Sequence, residues 1–358
     1  MSIGSLPPSG AGRPPRIGAL ASGPLDTIGD VPGVRVGHAT RDAGPVQTGV
    51  TVVRPHAGDP FRDKVPAGLA VVNGFGKSVG LLQVEELGQL ETPIALTNTF
   101  AVGAVAQAQV RACIADNPET GRRLPTVNPL VLECNDGYLN DIQRMEVGEA
   151  DYRAALEAAA PAFAQGSVGA GRGMSSFQLK GGIGTASRRA PLDRGAACTV
   201  GALVLANYGR LPNLVWAGRP IGPGIAARID DAARRQAAEA EKGSIIMVLA
   251  TDAPLDARQL RRLALRAAAG LARTGSVYGH GSGDIALAFG TAYTLPHLPD
   301  APQPAPALLH ESLLDGLFQA AADSVEQAIV HALWHAAPVT GRDGHHRAAL
   351  REFLAPEG

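Results

Sequence analysis

Aromatic residues make up only 4% of this 358-residue chain, and charged residues only 18%. With 45% hydrophobic residues, so little charge argues against a disordered chain and predicts a sizeable core. The formal net charge is −1, from 32 basic and 33 acidic residues, and no Lys/Arg block with interleaved aromatics occurs. Both facts argue against a nucleic-acid partner. A run of about 18 consecutive apolar residues is also lacking, so no membrane span is expected. The N-terminal stretch MSIGSLPPSGAGRPPRIGALASGPLD has no apolar centre of the roughly 7–15 residues a signal peptide needs. It reads as a flexible arm over residues 1–24, with the cytoplasm as the expected compartment. The three cysteines, Cys113, Cys134 and Cys198, are few, odd in number and widely spaced. They fit neither a disulfide framework nor a CxxC metal site, and read as small buried hydrophobes in a reducing compartment.

Glycine, by contrast, is abundant at 44 residues, which predicts tight turns and close backbone packing. Short β-branched runs fill the first half: GVRVGHAT, TGVTVVRP, GLAVVNG, TPIALTNT and NPLVLECND. Each is bounded by glycine, proline or asparagine, as strands are. Helical spacing falls over Ser78–Gly88, Ala101–Ala115 and Glu149–Ala162. The segment GSVGAGRGMSSFQLKGGIGTASRR reads as a hairpin or wide loops, and CTVGALVLANYGR as a long buried strand. Further on, helices are predicted over Arg228–Lys242, Asp256–Arg273 and Leu308–Ala336, with strands at Ile245–Ala250 and in DIALAFGTAYT. Uninterrupted apolar strands mixed with helices imply a layered α/β or α+β architecture in one domain.

Several motifs fail on inspection. Gly76-Lys77-Ser78 resembles the end of a phosphate-binding loop, but Val71 stands where the first glycine belongs. GGIGTAS and GAGRGM each lack a glycine of the dinucleotide fingerprint. A nucleophile elbow at Ser282 is ruled out by His280. His331 and His335 lie four apart on a predicted helix, yet no glutamate intervenes and no third ligand is indicated, so no metal and no cofactor is expected.

The seam Gly243-Ser244 is different. A charged, Ala-rich run stops at Lys242–Gly243, and a buried strand begins at once behind a serine. A serine hydroxyl needs a base, and a chain cut before Ser244 would supply one in the new α-amino group, whose ordinary pKa is about 7.7–8.0. Read alone, the pair is a weak signal and fits a strand-capping serine after a helix-ending glycine better. Ser282 and Asp284 alternate just before another apolar strand, so they share a face, and a hydroxyl backed by a carboxylate can orient an amine. Asn207 ends a buried strand, where its amide can donate to an oxyanion.

Together these blocks resemble the L-aminopeptidase/D-esterase family (DmpA-like, including β-peptidyl aminopeptidases). The resemblance runs from Leu25 to the C-terminus through DVPGVRVGHAT, VNGFGKSVGLLQVEELGQLETPIALTNT, NPLVLECNDGYLND, GGIGTASR, ALVLANYGR, GSIIMVLATDAPL, RTGSVYGHGSGDIALAF and GRDG. It implies an α+β fold, a four-layer αββα sandwich of Ntn-hydrolase-like architecture, as one domain over 25–358. It implies self-cleavage between Gly243 and Ser244 into an α chain 1–243 and a β chain 244–358. Ser244 matches the nucleophile, Ser282 and Asp284 complete the catalytic group, and Asn207 matches the oxyanion position. Tyr138 matches an active-site tyrosine, and Glu133 lies in the block whose acidic side chain receives the substrate ammonium. The implied substrates are small peptides, amino-acid amides or esters, and the implied assembly is a homotetramer of αβ units. His331 departs from the family pattern, where asparagine is expected. The alternatives are a β-peptide-specific aminopeptidase, an acyltransferase like the ornithine acetyltransferases, which self-cleave before threonine, and a non-catalytic binding module. Because every proposed catalytic group is an organic side chain or amine, EDTA-treated protein is expected to keep its full hydrolytic rate; a rate lost on chelation and restored by added zinc would sink the assignment.

Overall fold

The computed structural model describes residues 12–192, 195–229, 243–300 and 302–354. Two sheets carry the fold. The first is four-stranded, built from β1 (Arg35–Arg41), β2 (Thr48–Arg54), β4 (Ile94–Asn98) and β5 (Leu130–Cys134) in the order β1-β2-β4-β5. The second has seven strands among the described residues. Its centre runs β3 (Asp63–Gly74), β9 (Gly283–Gly290), β8 (Ser244–Thr251), β7 (Ala197–Asn207) and β6 (Gly182–Pro191), with Leu295–Pro296 and Gln89–Leu90 pairing on β3. All neighbours in that centre are antiparallel except β8 and β9, which are parallel.

Side-chain alternation stacks four layers. In β8, Ile246, Val248 and Ala250 join Leu203 and Leu205 of β7 and Leu287 and Phe289 of β9 in a core shared with Ile94, Leu96, Leu130 and Leu132 of the first sheet. The alternate residues Ile245, Met247 and Leu249 pack the other way, against helices α3 (Ala257–Leu265), α4 (Ala267–Ala272) and α5 (Leu314–Trp334). Helices α1 (Val102–Asp116) and α2 (Glu149–Glu157) cover the outer face of the first sheet through Val105, Ala108, Tyr152 and Ala155. The order is helix, sheet, sheet, helix, the α+β sandwich expected. All eight residues of β8 are buried because both its faces are covered, which is why that strand reads as an unbroken apolar run.

Helix boundaries follow local chemistry. Asp256 caps α3 in a reciprocal box with Gln259, and this starts the helix one residue inside the predicted span. The predicted span Asp256–Arg273 divides at Arg266 into α3 and α4. Most of the helix predicted over Arg228–Lys242 lies outside the described residues.

Against the expectation of a flexible arm over residues 1–24, the part from Pro15 onward is docked. Arg188 is fully buried, and a buried guanidinium needs acceptors. The arm and the residues just after it provide them: Arg188 donates to the carbonyl of Ile17 (2.8 Å through Nη2) and to Asp26 Oδ1 (3.0 Å). Gln327 of α5 completes the clasp, accepting from Ile17 N–H at 2.7 Å and from Arg188 Nη2 at 2.8 Å while donating to Pro15 O at 3.0 Å.

His331 finishes this cluster. Its Nδ1 lies 2.7 Å from Thr185 O, which can only accept, so Nδ1 carries the proton. Nε2 lies 3.1 Å from Gln327 Nε2, a donor, so it must be the bare nitrogen. Burial lowers the pKa of His331, and protonation would aim a second N–H at the Gln327 amide hydrogens. The folded-state pKa lies below the unfolded value of about 6.5, so the histidine's contribution is complete above that pH and lost as pH falls through it. The melting temperature is expected to fall between about pH 7.5 and about pH 5.5, and less steeply in His331→Asn. Identical slopes in the two proteins would dismiss His331 as a source of acid sensitivity.

Candidate active site

Three strand ends meet at one edge of the second sheet. Ser244, the first residue of β8, faces Asn207 across the antiparallel pair with β7 and Gly283 across the parallel pair with β9. Ser244 is 6% exposed, and its Oγ accepts the N–H of Gly283 at 3.1 Å. Close packing fixes two neighbours as glycine. A Cβ on Gly243 would stand 2.4 Å from Asn207 O, and one on Gly283 would stand 2.8 Å from Phe75 O and 3.1 Å from Ser244 Oγ.

Alternation decides which way each group looks. Ser244 and Asn207 are in step with Ile246 and with Leu205, so both face the layer between the sheets. Asp284 is in step with Ala286 and Ala288, which pack toward the helices. Its Oδ1 accepts the Ser282 hydroxyl at 2.5 Å, and both residues are fully buried. The predicted pairing of Ser282 with Asp284 is therefore present, on the sheet face opposite the Ser244 hydroxyl. Only the backbone of Ser244, in the plane of the sheet, borders both faces.

The Asn207 amide is held at each end by the main chain. Oδ1 accepts Ser175 N–H at 2.8 Å, and Nδ2 donates to Asn135 O at 3.0 Å. A backbone N–H can only donate and a carbonyl only accept, so a single orientation of the amide fits.

Glu133 lies in β5, 3% exposed, and connects to Ser244 through the turn Phe75–Lys77. Its Oε1 accepts Lys77 N–H at 2.9 Å, and its other oxygen accepts the Thr99 hydroxyl. Gly76 passes so close that a Cβ there would lie 3.6 Å from Glu133 Oε1, while the preceding carbonyl, Phe75 O, backs Gly283. The failed phosphate-loop motif thus has another use: its backbone bridges the strand end of Gly283 and the carboxylate of Glu133. Thr99, Lys77, Asn135 and Ser175 were missed from sequence because they act through main-chain groups or single hydroxyls, which leave no motif.

Tyr138 follows in the same segment as Asn135. Its ring stacks on His345 (4.6 Å between centroids, 11° apart), and the Arg347 guanidinium lies 3.6 Å from its centroid. Asp136, between Asn135 and Tyr138, is buried, and burial pushes its carboxyl up to about 7 despite hydrogen bonds that favour the charged form. Burial also drives the Cys134 thiol upward, and the charges of Glu133 and Asp284 push it further.

His335 stands edge to face with His331 of the clasp, 5.8 Å between ring centroids. Among the described residues, no group of three or more His, Cys, Asp or Glu side chains is arranged to hold a metal ion, and no helix is long and apolar enough to cross a membrane. Cys134 and Cys198 are buried, Cys113 is half-buried, and all three are free thiols.

The model of peptidase family S58 matches residues 26–347. The chain belongs to this family. A β-peptidyl aminopeptidase, BapA of Sphingosinicella microcystinivorans, is 39% identical over 341 residues, covering 90% of this chain and 85% of that one. The solved β-aminopeptidase of a Burkholderia species is 42% identical with a TM-score of 0.84 and 95% of each chain covered. The L-aminopeptidase D-Ala-esterase/amidase of Ochrobactrum anthropi, described as a prototype of the serine aminopeptidases and a variant of the Ntn hydrolase fold, is 36% identical with a TM-score of 0.86 over 94% of each chain. This S58 peptidase is accordingly a hydrolase, a self-processing aminopeptidase, and the acyltransferase and binding-module alternatives are set aside. The contact between Gly283 and Ser244 yields a direct prediction. Gly283→Ala displaces the serine hydroxyl, and release of p-nitroaniline from an aminoacyl anilide is expected to slow on the order of 10²-fold; an unchanged rate would show that Oγ does not depend on this contact.

Proposed function

We propose that the chain cuts itself between Gly243 and Ser244 and that Ser244 then serves as the nucleophile of an aminopeptidase acting on small peptides, amides or esters with a free amino terminus. The observation that carries this reading is the convergence at Ser244: a buried hydroxyl on the first residue of β8, flanked by the Asn207 amide and held by Gly283 N–H.

In the precursor, Ser244 Oγ attacks the Gly243 carbonyl. The Gly243–Ser244 C–N bond breaks as the C–O bond forms, the hydroxyl proton passes to the Ser244 nitrogen, and water hydrolyses the ester. In the mature enzyme, the same Oγ attacks the carbonyl of the substrate's first residue. The α-amine of Ser244 accepts the hydroxyl proton and delivers it to the leaving amine or alcohol, and water then releases the acyl group. Ser282 and Asp284 orient and polarise that amine from the helix-facing side, leaving the inter-sheet side to the substrate. An amide NH₂ has two hydrogens, and Asn207 gives one to Asn135 O; the second meets the oxyanion. Each Glu133 oxygen accepts one described hydrogen bond and has capacity for another, so the carboxylate can receive the substrate ammonium. Tyr138 lines the site beyond Asn135. These roles require no metal or cofactor.

The named β-peptidyl relatives support an N-terminal β-amino acid among the accepted residues. A tetramer of αβ units and a cytoplasmic location complete the proposal, the latter supported by the three free thiols.

Intact-mass spectrometry of wild type beside Ser244→Ala tests the central step. Two fragments split at Gly243–Ser244 are expected in the wild type, and a single uncut, inactive chain in the variant. Cleavage of the same bond in Ser244→Ala would overturn the assignment.

A further inference from the structure

We infer that Arg347 is a positioning residue whose guanidinium locks together the two segments that hold the Asn207 amide. The inference deepens the proposed oxyanion role of Asn207 and rests on it. One clamp on that amide is the carbonyl of Asn135, in the segment that continues to Tyr138; the other is the N–H of Ser175. These segments are 40 residues apart in the chain (135 and 175): Asn135 lies in the loop after β5, and Ser175 opens a short hairpin strand. Arg347 touches both. Its guanidinium lies 3.6 Å from the Tyr138 ring centroid, and its Nε donates to Ser175 Oγ at 3.2 Å. A closed circuit results: Asn207 to Asn135, along the chain to Tyr138, across to Arg347, on to Ser175, and back to Asn207.

The C-terminal segment that carries Arg347 is itself fixed to the Tyr138 loop. His345 Nδ1 bonds Tyr138 O at 2.8 Å and its ring stacks on the phenol, while Arg342 donates through Nε to Gly137 O at 2.7 Å and through its backbone N–H to Leu139 O at 2.8 Å. On its far side, Ala348 O accepts Lys180 N–H at 2.8 Å, tying it to the hairpin Ser175–Lys180. Arg347 is 8% exposed, so the contact is made away from bulk water, where a cation on an aromatic face is strongest. Lysine cannot substitute. Only a flat guanidinium can lie on a ring and donate edgewise at the same time.

An oxyanion donor acts through placement, and small misplacements are costly in rate. The same donor serves self-cleavage and substrate turnover, whereas the substrate ammonium is bound elsewhere, at Glu133. A loosened Asn207 therefore slows both reactions and spares KM. The test compares Arg347→Lys and Ser175→Ala with wild type and Asn207→Ala, following cleavage at Gly243–Ser244 together with kcat and KM for an aminoacyl p-nitroanilide. Arg347→Lys is expected to lower both rates by ~10-fold or more with KM within about twofold. Ser175→Ala, which keeps the backbone clamp, moves the same way by less and carries the test if Arg347→Lys does not fold. Asn207→Ala/Arg347→Lys is expected to be no slower than Asn207→Ala alone. Unchanged rates in Arg347→Lys or in Ser175→Ala beside a slow Asn207→Ala, a loss confined to KM, or multiplied losses in the double variant would overturn the positioning role alone. Full rates in Asn207→Ala would instead remove the oxyanion assignment on which it rests.

Discussion

The register of β8 between β7 and β9 is the constraint on which everything else depends. Asn207, Ser244 and Gly283 are level with one another only because eight consecutive residue pairs on each side agree. Strand side chains alternate, so a slip of one residue would turn Ser244 toward the helices and bury Ile245 between the sheets. The apolar stripes on both faces of β8 resist such a slip, since Ile246 and Val248 fit one core and Met247 and Leu249 the other. The hydroxyl is thus aimed by hydrophobic packing several residues away, not by a motif around it.

Buried carboxyls give the region its electrostatic character. Asp136, Glu133 and Asp284 are all nearly or wholly enclosed, and each is costly to bury as an anion without donors or cations nearby. The protein provides a backbone N–H, hydroxyls and a side-chain amide: Lys77 N and the Thr99 hydroxyl for Glu133, the Ser282 hydroxyl for Asp284, and Asn140 Nδ2 for Asp136. For Asp136 these donors compensate only part of the desolvation, and its carboxyl stays raised. A substrate ammonium and a strand-terminal α-amine are the natural complements on the proposed reading, and both are products of a free amino terminus.

Much of the architecture was legible in the residues. Buried strands, the pairing of Ser282 with Asp284 and the end-of-strand position of Asn207 follow from alternation and apolar runs. The side of the sheet each group would occupy was not, because it depends on how β8 and β9 align, a relation between segments 39 residues apart. Glu133 and Tyr138 entered only by resemblance, since a lone carboxylate and a lone phenol have no spacing to betray them. The docked arm escaped notice for a related reason: its low-complexity composition suggests freedom, and the buried Arg188 that holds it is on a strand more than 160 residues away. His331, unusual within the resemblance, belongs to that clasp and lies in the last turns of α5.

Placing the Ser282–Asp284 pair and the Ser244 hydroxyl on opposite faces makes the sheet a partition. On the proposed reading, one compartment, between the sheets, borders the carbonyl chemistry and the acyl group, and the other, under the helices, borders the proton-handling side of the nucleophile. On the proposed reading, the two can drift separately over evolution. Substitutions that reshape the acyl pocket need not disturb the basicity of the amine, so a single proton machine can be kept while one layer is remodelled for a new first residue.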